Sequence, residues 1–339
     1  MNIAMWKKAL SVIPEVSKEE WDRLDVISKW LISTRAAVLI MTFISAALAG
    51  LFAWRDGSFN FLPWLALAFG LIMAHASNNI FNDYTDFVRG VDKDNYYRNI
   101  YGAQPIASGL MTQRQHLTYF VVTALVALAL GLYLIWYAGF TSTAWILLGL
   151  GAFFLLFYTW PLKGMAMGEL AVLIVWGPLM IGGGYYMLTR QWNWNVVIAS
   201  LPYVFGVTTV IFGKHIDKLD MDREKGIHTL PVVIGEKASR YAALAMMIAP
   251  YFFTVYLIAV KFFTPVMLIV FFALPLFLKI YPIFLKPKPK TRPEGQPGWP
   301  LYFVGYAFYN NRKLGSLFML GLLLDVALRL IPFTQNFWR

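Results

Sequence analysis

The chain has 339 residues, of which 59% are hydrophobic, 17% aromatic and only 14% charged, with a formal net charge of +11 and no cysteine. That balance excludes an ordinary water-soluble domain, because apolar runs repeatedly reach the ~20 residues that an α-helix needs to cross the hydrocarbon core. The lack of cysteine excludes disulfides and thiolate metal sites.

Residues 1–30 mix Lys7, Lys8, Glu15, Glu19, Glu20, Asp22 and Asp25 with Trp and Leu. The stretch lacks an apolar h-region with a small-residue cleavage site, so it reads as an amphipathic helix lying on the membrane surface. Residues 31–339 follow as one transmembrane domain, with nine candidate spans at roughly 33–54, 61–82, 117–138, 142–160, 169–188, 196–215, 240–260, 262–285 and 314–332. Lipid leaves only helices or closed barrels as spanning structures, and long runs without period-2 alternation choose helices. The expected fold is all-α and polytopic: a bundle of nine transmembrane helices with a cytoplasmic cap of motif loops.

The 29 basic residues divide unevenly between the two sides that these spans define. Arg55, Arg190, Lys261, Arg329 and Arg339 fall on one side and all the others on the opposite one. This is the positive-inside signature, which puts the N-terminus and the loops after spans 2, 4, 6 and 8 in the cytoplasm, at a cell inner (plasma) membrane. The excess charge then serves topology and contact with anionic membrane lipids rather than nucleic acid.

Three cytoplasmic connections, 83–116, 216–239 and 286–313, are long and polar. The last contains "KPKPKTRPEGQPGWP" and reads as a stiff, exposed connector. The other two hold most of the acids outside the N-terminal stretch: Asp83, Asp86, Asp92 and Asp94 in one, and Asp217, Asp220, Asp222, Glu224 and Glu236 in the other. Their equivalent places, four spans apart, suggest two related halves plus a ninth helix.

In "NNIFNDYTDFVRGVD", at about 3.6 residues per turn, Asn79, Asn82, Asp83 and Asp86 share one helical stripe. Like charges held together call for a cation, and ligands that are all hard oxygens point to Mg²⁺ rather than Zn²⁺. The second cluster, "GKHIDKLDMDREKGIHTLPVVIG", sets Asp217, Asp220 and Asp222 among Lys214, Lys218, Arg223 and Lys225, a mixture suited to clamping a metal-bound diphosphate. Asp222 joins the other two only if the helix ends or bends near it. Either cluster alone also fits a solvated, self-paired loop. Both together, beside a deep apolar bundle, imply a substrate with an anionic head and a hydrocarbon tail. A polyprenyl diphosphate fits, with metal stabilising the leaving group and aromatic side chains sheltering an allylic cation.

At these residues the sequence resembles the UbiA superfamily of intramembrane prenyltransferases. "NDYTDFVRGVD" followed by "SGLMT" at 108–112 is similar to the first motif of that family, "FYTWPLKGMAMGEL" at 157–170 to its Tyr-x-x-Pro-x-Lys segment, and "DREKGIHTLPVVIGE" to the end of its second motif. The resemblance implies Mg²⁺-dependent transfer of a polyprenyl group from its diphosphate to an acceptor. By position, Asn79, Asp83 and Asp86 would hold one metal, with Asp92 assisting, and Asp217, Asp220 and Asp222 the other. Arg98, Lys163 and Lys214 would bind the diphosphate, and Tyr158 would sit near the reacting carbon. Gly90 followed by Asp92, and "GELAVLIVWGPLMIGGGYYMLT" at 168–189, look closest to the 1,4-dihydroxy-2-naphthoate prenyltransferases of menaquinone biosynthesis. That implies an aromatic acceptor whose carboxylate is lost. Two positions depart from the family pattern: Lys218 stands four residues before Asp222 where an Asp is usual, and Gln104 precedes Pro105 where many relatives have Arg.

Other readings stay open. The acceptor is 4-hydroxybenzoate or a lipid in related branches, and a cyclase or lyase ionises the same diphosphate without one. A transporter also carries intramembrane acids, though at mid-membrane rather than at one surface. His75, His116, His215 and His228 read as satisfied packing, Glu169 as a helix-dipole charge or an acceptor contact, and Asp325 as a partner of Arg329 one helical turn away. Tyr185 and Tyr186 read as packing residues or cavity lining.

Overall fold

A computed structural model describes residues 1–90, 104–295 and 299–330. Asp92 and Arg98, both expected at the site, lie outside the described residues, as do Asp94 and Arg339.

The stretch expected as one surface helix is broken. Helix α1 (Ile3–Ser11) stops before an extended segment at Pro14, and α2 (Lys18–Arg23) and α3 (Val26–Ser33) follow. Proline removes a backbone donor and forces its predecessor out of helical geometry, which sets the break. Asn2, Ser17 and Asp25 cap the three helices with side-chain acceptors. Met5, Ala9, Trp21, Leu24 and Leu31 are buried in one apolar cluster with Ala76, Leu110 and Met111.

Among the described residues, nine longer elements and one short α-helix follow: α4 (Ala36–Arg55), α5 (Phe61–Val88), α6 (Gln113–Tyr137), α7 (Ser142–Phe157), α8 (Gly168–Thr189), α9 (Trp194–Asp217), the short α10 (Leu219–Glu224), α11 (Leu230–Ala259), α12 (Pro265–Leu285) and α13 (Phe303–Leu330). Every expected span carries helix. Among the described residues, however, seven rather than nine are long and apolar enough to cross a membrane. Ser142–Phe157 is apolar but shorter, and Phe303–Leu330 is interrupted by Arg312, Lys313, Asp325 and Arg329. The protein is thus an all-helical, polytopic membrane protein.

The chain forms two compact units, one of Met1–Ala47 with Asn60–Trp160 and the other of Leu48–Phe59 with the chain from Pro161 onward. In the first, α5 packs along α6 and α7. In the second, α9 is the central helix, lying against α8, α11 and α13. Proline inside α8, at Pro178, coincides with a π-helical stretch over Val175–Gly183. One end of the second unit is tied by polar contacts. Tyr185 donates to Asp56 at 2.7 Å, Asp56 pairs with Arg55 at 2.8 Å, and the Arg55 guanidinium lies 4.0 Å from the Phe262 ring centre. The expected pair of Asp325 with Arg329 forms at 3.2 Å, and Asp325 also accepts the Thr264 amide at 2.6 Å.

Candidate active site

The first motif occupies the last turns of α5, in the first unit. Asn79, Asp83 and Asp86 are buried there on one face, as their spacing predicts, with Asn82 half-buried beside them. Each has a different environment. Asn79 donates to the Thr34 carbonyl at 2.9 Å. Asp83, only 1% exposed, is ion-paired with Arg35. The Asn82 Oδ1 is buried without a hydrogen-bond partner. The helix then stops at Gly90, whose φ of 69° suits the left-handed turn that glycine favours.

Arg35 was not among the residues singled out from sequence. It sits between α3 and α4 with a φ of 54°, a conformation costing a non-glycine residue about 1 kcal/mol. That turn carries its guanidinium to Asp83. A basic residue near the edge of an apolar span is the signal that marks such a position.

These residues fit a hard cation. Two buried carboxylates and an orphaned amide oxygen on one face are oxygen donors of the kind Mg²⁺ prefers, and Arg35 offsets part of their charge. No three carboxylates or imidazoles converge on one point among the described residues, which leaves room for water and substrate oxygens in such a shell.

The second motif, in the second unit, is arranged differently. Helix α9 ends at Asp217, Lys218 leaves helical geometry with a φ of −104° and a ψ of 4°, and α10 begins at Leu219. The bend that Asp222 requires is therefore present. It does not gather the three acids. Asp217 accepts the backbone amides of Phe303 at 3.1 Å and Val304 at 3.0 Å, the otherwise unsatisfied donors that open α13. Asp220 is 88% exposed and lies 3.5 Å from Arg223. Asp222 is buried and paired with Lys218 at 3.0 Å, and its Oδ2 has no hydrogen-bond partner.

Lys288 is the second residue that sequence reasoning missed. The connector 286–300 read as solvated because it is rich in Pro and Lys. Lys288 nonetheless donates from Nζ to the Asp217 carbonyl at 3.0 Å and from its backbone to Glu236 at 3.0 Å, and its Nζ lies 5.2 Å from the Trp299 ring centre. Burial pulls the ammonium pKa down, against the opposing attraction of Asp217. Its partner lies 71 residues away in sequence, and no local pattern announces it.

Lys163, in a 3-10 turn over Leu162–Met165, and Lys214, in the last turn of α9, are both half-buried. Tyr158 is half-buried at the C-terminal cap of α7. Gln104 is buried. Glu169 and His215, read separately from sequence, form one buried pair, with Nδ1 of His215 and Oε1 of Glu169 2.5 Å apart.

Residues 43–295 match the model of the UbiA prenyltransferase family, and the chain belongs to that family. Over 224 residues it is 26% identical to the UbiA prenyltransferase domain-containing protein 1 homolog of Drosophila melanogaster, covering 64% of this chain and 59% of that protein. It is 27% identical over 226 residues to the 1,4-dihydroxy-2-naphthoate octaprenyltransferase of Escherichia coli strain K12, covering 64% of this chain and 72% of that enzyme. The apo structure of a UbiA homolog from Aeropyrum pernix K1 superposes with a TM-score of 0.61 at 17% identity, over 89% of this chain and 99% of that one. The last likeness is one of fold.

Proposed function

We propose that this protein transfers a polyprenyl group from its diphosphate to an aromatic acceptor with Mg²⁺, and that the acceptor is 1,4-dihydroxy-2-naphthoate, as in menaquinone biosynthesis. The observation that carries the reading is the buried face of Asn79, Asn82, Asp83 and Asp86, with its orphaned Asn82 oxygen, in the last turns of a membrane-length helix. The name of the Escherichia coli relative supports the acceptor. Magnesium supplies charge to the departing diphosphate when bound.

The chain's own residues do the rest. Asp83, Asp86 and Asn82 offer oxygens to the cation, and Arg35 fixes the Asp83 carboxylate. Lys163, Lys214 and Arg98 hold phosphate oxygens. Tyr158 presents its ring to the allylic carbon as charge builds there. The apolar runs support nine spans, and the charge distribution across them supports both motifs facing the cytoplasm.

The test is purified full-length protein with prenyl diphosphates of several lengths, Mg²⁺, and 1,4-dihydroxy-2-naphthoate, 4-hydroxybenzoate or a glycerophospholipid precursor, read by mass spectrometry. A product heavier by one prenyl group and lighter by CO₂ is expected with the naphthoate. A product on another acceptor would move the assignment within the family, one formed without acceptor would indicate a cyclase or lyase, and an intact substrate throughout would overturn the reading.

A further inference from the structure

The second motif does not bring its three acids to one metal ion. Asp217 has both carboxylate oxygens on the amides of Phe303 and Val304, with Lys288 beside it at 3.4 Å. Asp220 points into solvent, 88% exposed. That leaves Asp222, whose carboxylate already carries an ammonium group. Lys218 Nζ lies 3.0 Å from it, and the two side chains are 11% and 3% exposed.

We infer that this chain holds one divalent cation, on the α5 face of Asp83 and Asp86, and that the Lys218 ammonium stands at Asp222 where a second cation would otherwise sit. The inference rests on the prenyl-diphosphate reading above and sharpens it.

Three features support it. Lys218 is positioned by the fold, since the residue that caps the C-terminus of α9 is also the one four before Asp222, and the bend delivers its side chain onto that carboxylate. A lysine ammonium is a compact charge that binds phosphate as a point charge, so it does for a diphosphate part of what a metal does. A dication at Asp222 would meet like charge in a buried place, where repulsion is weakly screened, with Asp217 held by the α13 amides and Asp220 in solvent rather than beside it to offset that charge. Over residues 214–225, moreover, Lys214, Lys218, Arg223 and Lys225 balance Asp217, Asp220, Asp222 and Glu224, so the segment has no excess negative charge to recruit a metal. The first motif differs, since Asp83 and Asp86 lie one turn apart on the same buried helix face and together offset Arg35.

The experiment counts cations rather than turnover. Full-length protein in nanodiscs, saturated with an unreactive prenyl thiolodiphosphate, is titrated with Mn²⁺, and bound ion is read by equilibrium dialysis and electron paramagnetic resonance. The expected result is one Mn²⁺ per chain without spin–spin broadening, lost in Asp86→Asn and retained in Asp222→Asn. Lys218→Asp should admit a second ion, read as two Mn²⁺ per chain. Two ions in the wild-type protein, or loss of the single ion in Asp222→Asn, would overturn the inference even if Lys218→Asp fails to fold. No bound ion in the presence of the bound analogue would instead overturn the metal-dependent reading on which it rests.

Discussion

Lys288 and Asp217 close the connector after α12 onto the end of α9, the ammonium donating to the Asp217 carbonyl at 3.0 Å while the Asp217 carboxylate receives the first amides of α13. One acid thereby fixes two chain segments distant in sequence. Replacing Asp217 by Ala strands the two amides and removes the carboxylate 3.4 Å from the Lys288 ammonium, which keeps its bond to the backbone carbonyl. A hydrogen bond to a charged group contributes about 1.5–3 kcal/mol, so Asp217→Ala should cost about 3 kcal/mol of stability or more. Lys288→Ala should cost less but release the connector, seen as faster proteolysis between residues 286 and 295. Asp220→Ala, at an exposed position, should change neither.

The ion pair of Arg35 and Asp83 gives a second prediction. Breaking a buried pair by removing one partner typically costs about 3–5 kcal/mol, and the 20% exposure of the Arg35 side chain puts Arg35→Ala at the lower end of that range. Adding Asp83→Asn should recover much of the loss, because the stranded charge is gone. Thermal unfolding of the two single variants and the double variant would read the coupling. Additive losses would mean that the pair is not the stabilising unit.

How far the sequence carried this reading differs between the two motifs. At α5 the three- and four-residue spacing alone placed Asn79, Asn82, Asp83 and Asp86 on one face, because a continuous helix converts spacing directly into geometry. At the second motif the helix ends between Asp217 and Asp222, and spacing lost its meaning there. The destination of each acid was decided by partners from elsewhere: α13 for Asp217, solvent for Asp220 and Lys218 for Asp222. Helix positions were legible for the same reason as the first motif, since apolar length is a local property. Arg35, Lys288 and the pairing of Glu169 with His215 were not, because each depends on a contact between segments far apart in the chain.

That last pair yields a third prediction. Glu169 and His215 are buried 2.5 Å apart where α8 and α9 meet, so His215→Ala leaves a buried acid without its partner. Glu169→Gln keeps an oxygen for a hydrogen bond and removes the charge. His215→Ala should therefore be the more destabilising of the two, by about 1–3 kcal/mol. Denaturation midpoints compared in one detergent would check the order, and the reverse order would show that the pair is not held together by this bond.

The N-terminal helices carry a pH dependence with a definite sign. The Ser28 backbone amide chiefly, together with the Asn2 amide, the Ser28 hydroxyl and the Trp6 indole, holds the Asp25 carboxyl below the usual aspartate range. A depressed value in the folded state means stabilisation that is complete above the ordinary aspartate pKa of about 3.9 and is lost as pH falls below it. Amide exchange across Ile3–Ser11 should accelerate over that acid interval, beyond the intrinsic effect of pH. In Asp25→Ala the segment should exchange fast at neutral pH, with no further acid step.

The close approach of α9 to α13 beside the second motif makes Gly213 the most informative small residue. A Cβ at Gly213 would lie 2.8 Å from the backbone of Val304 and 2.9 Å from that of Phe303, the two residues whose amides bind Asp217. Backbone at the start of a helix yields less readily than a side chain. Gly213→Ala should therefore push the α13 terminus away and lengthen both hydrogen bonds to Asp217, at an overpacking cost of about 1–3 kcal/mol. Gly305, one residue beyond Val304, has open space around its Cβ direction, so Gly305→Ala serves as the control and should be neutral or slightly stabilising. If Gly213→Ala leaves thermal stability and proteolysis of the connector unchanged, α13 does not depend on Asp217 for its anchorage.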